Sequence, residues 1–298
     1  MKTITVKLTQ NQIKELKERY AKLPMRFDIQ YTHYQIKGSD FTITAYTSGK
    51  VVFSGEGAEY HASPYTNGIA ESKSSSSQTA SFPQAVFHAG SDEVGTGDYF
   101  GPITVCAALV TEENMKHLPI HEIMDTKQMK DEVILQIAPK IMDEITYSLL
   151  VLQNQRYNVI HQTMNLNVIK AKLHNQAYLH LAKKVKVMPD LSVVDQFMPE
   201  NRYYEALVNE ETVYRKLHFE TKAENKYLAV ACGAIIARYA FLKAYEQLEE
   251  TYGVAFPKGA GAHVDTFGQS LVKKHGPEIL EKVAKYHFSN TQRIIHHD

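Results

Sequence analysis

Residues 85–110 read AVFHAGSDEVGTGDYFGPITVCAALV, and two apolar, β-rich runs, 85–91 and 103–110, flank a turn carrying Gly95, Gly97 and Gly101. Such runs around a glycine-rich turn are expected to pair as a hairpin. Asp92 and Glu93 close the first run. A charged pair beside a buried strand is costly unless something neutralises it, and a divalent cation would do so. A strand end turning into water would account for the pair equally well. Gly95-Thr96-Gly97 resembles a fragment of a dinucleotide loop, but a strand follows it, so the helix N-terminus that would hold a pyrophosphate is missing. Neighbouring strand residues point to opposite faces, so Asp92 and Glu93 are expected to converge only through a twist or bulge at Glu93.

Beyond this stretch, helical spacing covers residues 130–144, 158–185 and 227–249, and residues 147–153, 191–197 and 213–220 read as strands. Mixed strands followed by strand–helix units imply an α/β sandwich: a mixed sheet flanked by helices. Two isolated acids stand out. Asp195 follows the apolar Leu191-Ser-Val-Val, and Glu224 lies in Lys222-Ala-Glu-Asn just ahead of the most apolar helix. Taken singly, one is a strand-end cap and the other favours a helix dipole. Convergence of Asp92, Glu93, Asp195 and Glu224 explains all four together. Carboxylates with few His or Cys partners suit Mg²⁺ or Mn²⁺ better than zinc.

Ahead of the hairpin, residues 62–84 hold four consecutive serines, Ser74 to Ser77, and read as a flexible linker between an N-terminal domain, 1–61, and a larger one, 85–298. Residues 2–8 alternate apolar and polar, 9–22 follow helical spacing up to Pro24, and 27–37, 41–47 and 50–54 read as a meander. The expected order is β-α-β-β-β, a small α+β unit whose helix covers one face of its sheet. The other face should carry Thr3, Thr5, Lys7, Thr42, Thr44, Tyr46 and Lys50. Hydroxyls and ammoniums on one surface suit sugar-phosphate contact, although an ordinary solvated face has the same composition. Residues 1–65 carry nine Lys/Arg against six Asp/Glu, within a chain of 298 residues balanced at 33 of each sign. Any nucleic-acid surface is therefore local. Cys106 and Cys232 each sit in an apolar run, which argues against a disulfide scaffold. No uninterrupted apolar stretch approaches about 18 residues, and the N-terminus lacks a signal-like segment, so a cytoplasmic protein without membrane contact is expected.

The motifs Gly90-SDEVGTGDYFGP-Ile103, Asp125-Thr-Lys127, Met164-NLNVIKAKLHN-Gln176, Lys222-AENKYLAVACGAIIA-Arg238 and Lys258-GAGAHV-Asp265 closely resemble those of bacterial ribonuclease HIII, a type 2 ribonuclease H family. The match spans nearly all of residues 85–298, and the N-terminal piece looks like the family's TATA-binding-protein-like substrate-binding domain. The resemblance implies a ribonuclease H-like fold and an endonuclease that cuts the RNA strand of RNA/DNA hybrids, leaving 5′-phosphate and 3′-hydroxyl ends. It maps the family's acidic quartet onto Asp92, Glu93, Asp195 and Glu224. Phosphodiester hydrolysis needs an activated water and a stabilised leaving oxygen, and two Mg²⁺ or Mn²⁺ about 3.5 to 4 Å apart supply both around one bridging carboxylate. Asp92 is the expected bridge. Gly95, Thr96 and Gly97 are expected at the 2′-hydroxyl. Lys127 and Lys258 are expected to clamp phosphates, and Asn167 and Lys170, with His174 on the same helical face, to reach the duplex. His174 is not expected to be a metal ligand. Glu224 stands where type-two enzymes usually have Asp, and Gly-Thr-Gly where they have Gly-Arg-Gly. Two alternatives remain at this point: type-two specificity for single ribonucleotides, and a non-catalytic hybrid-binding clamp. No protein partner is implied, and a monomer is expected.

Overall fold

The computed structural model describes residues 3–29, 31–66, 86–124 and 129–296. The chain divides into two compact units, 1–79 and 80–298.

The first unit runs β1 (Thr3–Lys7), α1 (Gln10–Arg19), β2 (Met25–Arg26), β3 (Thr32–Lys37), β4 (Phe41–Tyr46), β5 (Lys50–Gly55) and α2 (Ala58–Thr66). Thr9 caps α1 in a reciprocal box with Gln12, and Ile13 and Leu16 turn inward. The strands form an antiparallel sheet ordered β1-β5-β4-β3-β2. Cross-strand partners share a face, so the register sorts the side chains directly. Ile4, Phe53, Ile43 and Ile36 line up on one side, with Val6, Val51 and Ala45 beside them. These pack with Ile13 and Leu16 of α1 and with Ala58 and Ala62 of α2. Two helices, where the sequence suggested one, therefore cover the same face. Helix α2 also corrects the expected start of the linker, because residues 62–66 are helical and Ala62 is fully buried. The rest of the expected linker, 67–84, lies outside the described residues.

The second unit begins with β6 (His88–Val94) and β7 (Ile103–Val110), followed by α3 (Glu112–Met115), α4 (Ile120–Met124), α5 (Asp131–Glu144), β8 (Thr146–Leu152), α6 (Asn154–His161) and α7 (Leu166–Lys184). Then come β9 (Ser192–Asp195), α8 (Glu200–Glu205), β10 (His218–Glu220), a 3-10 turn (Ala223–Asn225), α9 (Leu228–Tyr252), α10 (Ala262–His275), α11 (Ile279–Val283) and α12 (Ser289–Ile295). The sheet order is β10-β9-β6-β7-β8, antiparallel through β6, β7 and β8, and parallel where β9 joins β6 and β10 joins β9. Helix α9 packs on one face together with α5, and α7 packs on the other. Most of the apolar window in α9 is buried against the sheet, which accounts for a helix this long and hydrophobic. Cys106 on β7 and Cys232 on α9 are both buried in that interface, where burial raises each thiol well above its ordinary pKa.

Two expected elements differ. The helix expected over 158–185 is two helices, because Asn165 accepts from the Val168 N–H at 3.1 Å and starts a new one. The strand expected over 213–220 shrinks to β10, since the Tyr214 N–H donates to Asn175 Oδ1 at 2.8 Å rather than to a neighbouring strand.

Candidate active site

Glycines set the site's geometry first. A Cβ on Gly90 would come within 2.3 Å of the Val230 backbone nitrogen, and one on Gly233 within 2.9 Å of the Cys106 carbonyl. Only with both positions bare can α9 lie directly against β6 and β7. The 3-10 turn that precedes α9 is thereby carried to the end of β6. There, Asp195 Oδ1 accepts from the Ala223 N–H at 2.8 Å, tying the end of β9 to the turn that holds Glu224. Asp92, Asp195 and Glu224 thus come from a strand end, a second strand end and a helix entrance.

Asp92 and Glu93 do not converge through a bulge. Strand β6 pairs with β7 in unbroken register from His88 opposite Val110 to Val94 opposite Thr104, so the expected irregularity at Glu93 is absent. Asp92 pairs with Cys106, whose side chain belongs to the α9 side, and Glu93 with Val105, which belongs to the α7 side. The two acids therefore have different surroundings. Glu93 Oε1 accepts from Lys170 Nζ at 2.7 Å, and Oε2 meets His174 Nε2 at 2.9 Å. His174 is fully buried, with Nδ1 2.8 Å from Ser91 Oγ, and the Lys170 ammonium also lies 3.9 Å over the Phe197 ring. Burial alone would raise the Glu93 carboxyl, but the bond from His174 and the nearby Lys170 charge hold it below its ordinary range.

Asp92 is the reverse case. Its Oδ1 accepts from the Glu93 N–H at 2.7 Å, yet burial, then the negative charges of Glu93, Asp195 and Glu224, push it well above the ordinary range. Asp195 is raised too, by burial first and then by Glu224 and Glu93, against the bond from Ala223. Among the described residues, no Lys or Arg forms an ion pair with Asp92, Asp195 or Glu224. Nor do three His, Cys, Asp or Glu side chains close into a ready-made cage among them. Three hard oxygen donors that repel one another and lack a protein counter-charge fit Mg²⁺ or Mn²⁺. Glu93, whose oxygens are already held, fits a metal less well than the other three.

Over residues 89–291 the chain matches the family model described as Ribonuclease HII, and over 3–79 one described as a domain of unknown function (DUF3378). The chain belongs to the ribonuclease HII family. Ribonuclease HIII of Bacillus pumilus (strain SAFR-032) is 40% identical over 97% of both chains, and that of Bacillus subtilis (strain 168) is 37% identical over 97% of this chain and 95% of its own. A solved Bst-RNase HIII in complex with Mn²⁺ superposes with a TM-score of 0.69 at 34% identity over 98% of each chain. Ribonuclease H2 from Pyrococcus horikoshii OT3, at 20% identity and TM-score 0.56 over 70% of this chain and 96% of its own, shares the fold. The family resemblance drawn from the motifs is thereby established, and with it the ribonuclease H-like α/β sheet preceded by a smaller α+β unit.

Within this family frame, the other residues singled out in the sequence fall in distinct places. Gly95 has φ +93°, and a Cβ there would sit 2.2 Å from the Pro102 carbonyl, so its glycine serves the turn. Gly97 is exposed with nothing within 4 Å of where a Cβ would be, so the open part of the turn is Thr96–Gly97. Lys170 is buried on Glu93 rather than free to reach a duplex, which corrects its expected role; Asn167, one turn earlier, is exposed. Lys258 pairs with Asp131, which also accepts from Arg238 Nε at 3.1 Å, so its ammonium is shared rather than unengaged. Lys127 lies outside the described residues. Thr3, Thr5, Lys7, Thr42, Thr44, Tyr46 and Lys50 do share the uncovered face of the first unit's sheet: Thr3 opposes Ser54 and Ser54 opposes Thr42, while Lys7 opposes Lys50. Thr44 is the most enclosed of them and accepts from Gln35 Nε2 at 3.0 Å. The sequence reading misses that Lys170 and His174 hold Glu93, with Ser91 behind His174, although their four-residue spacing puts Lys170 and His174 on one helical face.

Proposed function

We propose that the chain is a metal-dependent endonuclease that hydrolyses the RNA strand of RNA/DNA hybrids, leaving 5′-phosphate and 3′-hydroxyl ends. The observation that carries this reading is the group of three carboxylates, Asp92, Asp195 and Glu224, brought together without a protein cation among the described residues. A protein that only held a polyanionic duplex would gain nothing from acids that repel phosphate. Two Mg²⁺ or Mn²⁺ bound there would activate water and stabilise the leaving 3′-oxygen. Asp92, Asp195 and Glu224 would hold the metals. Glu93, clamped by Lys170 and His174, presents a fixed negative edge that orients water or the 2′-hydroxyl beside Asp92. The open Thr96–Gly97 backbone is assigned to the sugar of the RNA strand. In the first unit, Lys7, Lys50, Thr42 and Tyr46 are assigned to the sugar-phosphate backbone, which fixes position without reading sequence. The protein is taken to act as a cytoplasmic monomer, with the hybrid duplex as its partner.

End-labelled duplexes carrying either a long RNA tract or a single ribonucleotide in DNA test this reading, with Mg²⁺, Mn²⁺ or EDTA and with wild type and Asp92→Asn. Metal-dependent cutting of the long tract, lost in Asp92→Asn, is the expected result. Efficient incision at the single ribonucleotide would transfer the assignment to type-two specificity. Tight binding without cutting under either metal would leave only the clamp.

A further inference from the structure

The turn from Gly95 to Pro102 has an open crown at Gly97 and a base held from two distant segments. From one side, the Gly259 N–H donates to Asp98 Oδ1 at 2.6 Å and the Tyr99 N–H donates to the Gly259 carbonyl at 2.9 Å. From the other, the Gly101 N–H donates to the Val283 carbonyl at 3.0 Å and the Lys285 N–H to the Tyr99 carbonyl at 2.8 Å. The Lys285 side chain completes this second anchor. It is fully buried, and its Nζ donates to the carbonyls of Asp98 at 2.7 Å, Gly101 at 2.7 Å and Phe100 at 3.4 Å. An ammonium has three donors, so all three are used, and each meets a backbone oxygen rather than a carboxylate. Converging carbonyls are the surroundings that a bare monovalent cation takes. Burial draws this ammonium down to about 7, with the Asp98 charge opposing. Nothing in the carboxylate chemistry uses Lys285.

We propose that Lys285 is a positioning residue of the reaction, a tethered monovalent cation that locks the Gly95–Gly101 turn so that Thr96 and Gly97 meet the RNA sugar in one conformation. The role in substrate contact rests on the hybrid-cleaving reading; the locking of the turn does not.

Lys285→Met removes the charge and keeps the bulk. The Gly101 carbonyl still accepts from Asn154 Nδ2 at 2.8 Å and the Phe100 carbonyl from Tyr245 OH at 3.0 Å, so only the Asp98 carbonyl loses its partner and the fold should hold. The expected result is a KM for the hybrid raised about tenfold with kcat within about threefold of wild type. Hydrogen exchange should accelerate across residues 95–101 and stay unchanged in α9. A merely structural role would instead lower the active fraction, reducing kcat at constant KM and loosening the whole unit. A second variant, Lys285→Ala, should recover its KM and its protection when n-propylammonium is added, but not with n-propanol. Unchanged KM and unchanged exchange in Lys285→Met, or no recovery with the amine if Lys285→Met fails to fold, would overturn the inference. Should the wild type cleave no hybrid, the functional reading falls, and exchange across 95–101 alone decides whether Lys285 locks the turn.

Discussion

Removing the Lys170 ammonium leaves the buried Glu93 carboxylate with His174 as its remaining side-chain partner. Stranding one member of such a pair is costly, so Lys170→Met should lose about 2–4 kcal/mol in urea unfolding measured in EDTA, and Lys170→Met/Glu93→Gln should regain much of it. The neighbouring acid behaves oppositely with pH. Glu93 is held below its unfolded pKa, so its contribution is present above about pH 4.3 and is lost as pH falls through the depressed value. Asp92 is raised, so its contribution is intact below about pH 3.9 and is lost as pH climbs through the elevated value. In EDTA at neutral pH, Asp92→Asn should therefore melt above wild type by a few degrees, at about 2–4 °C per kcal/mol, and saturating Mn²⁺ should erase or reverse the difference. Calorimetry with and without the metal checks this. The four acids were legible in the sequence because charge at the end of an apolar run is conspicuous. The roles of Lys170 and His174 were not, because which strand a helix face meets is a property of packing and not of spacing.

At the level of elements, the strand–helix contact through Gly90 and Gly233 is the joint that brings the Glu224 turn to Asp92. Gly90→Ala places a methyl against the Val230 backbone, which cannot move as a side-chain tip could. This variant should lose about 1–3 kcal/mol or more and bind Mn²⁺ more weakly even where it remains folded, as read by thermal unfolding and by electron paramagnetic resonance of free Mn²⁺. The long central elements were visible from period alone, since β7, α5, β8 and α9 fall within a few residues of their expected bounds, whereas the short α3, α4 and α8 and the C-terminal α10, α11 and α12 were not delimited by it. Two expected elements that came out differently have local causes. One side-chain cap at Asn165 divides a continuous helical pattern, and the alternation over 213–217 is taken up by contacts with Asn175 and Tyr204 instead of a sheet. Helix α2 was hidden because it starts in Ala58-Glu-Tyr-His and runs into a Ser- and Pro-bearing stretch whose composition reads as linker.

For the molecule as a whole, the uncovered sheet face of the first unit should act on substrate affinity and leave the chemical step alone. Lys7→Ala/Lys50→Ala should raise KM for the hybrid severalfold near 0.1 M salt and flatten the dependence of log KM on log salt by about one to two, with kcat unchanged. A titration of KM against salt measures it. The two thiols give the same molecule an internal clock. Cys106 and Cys232 lie on opposite partners of the α9–sheet contact, and burial keeps both protonated and inert. A disulfide reagent can reach them only after that contact has parted, so the rate of colour release reports how often the helix bearing the entrance to Glu224 leaves its sheet. The chain is in this sense already labelled, and each substrate or metal that steadies the site should slow its own bleaching of thiols without any probe being attached.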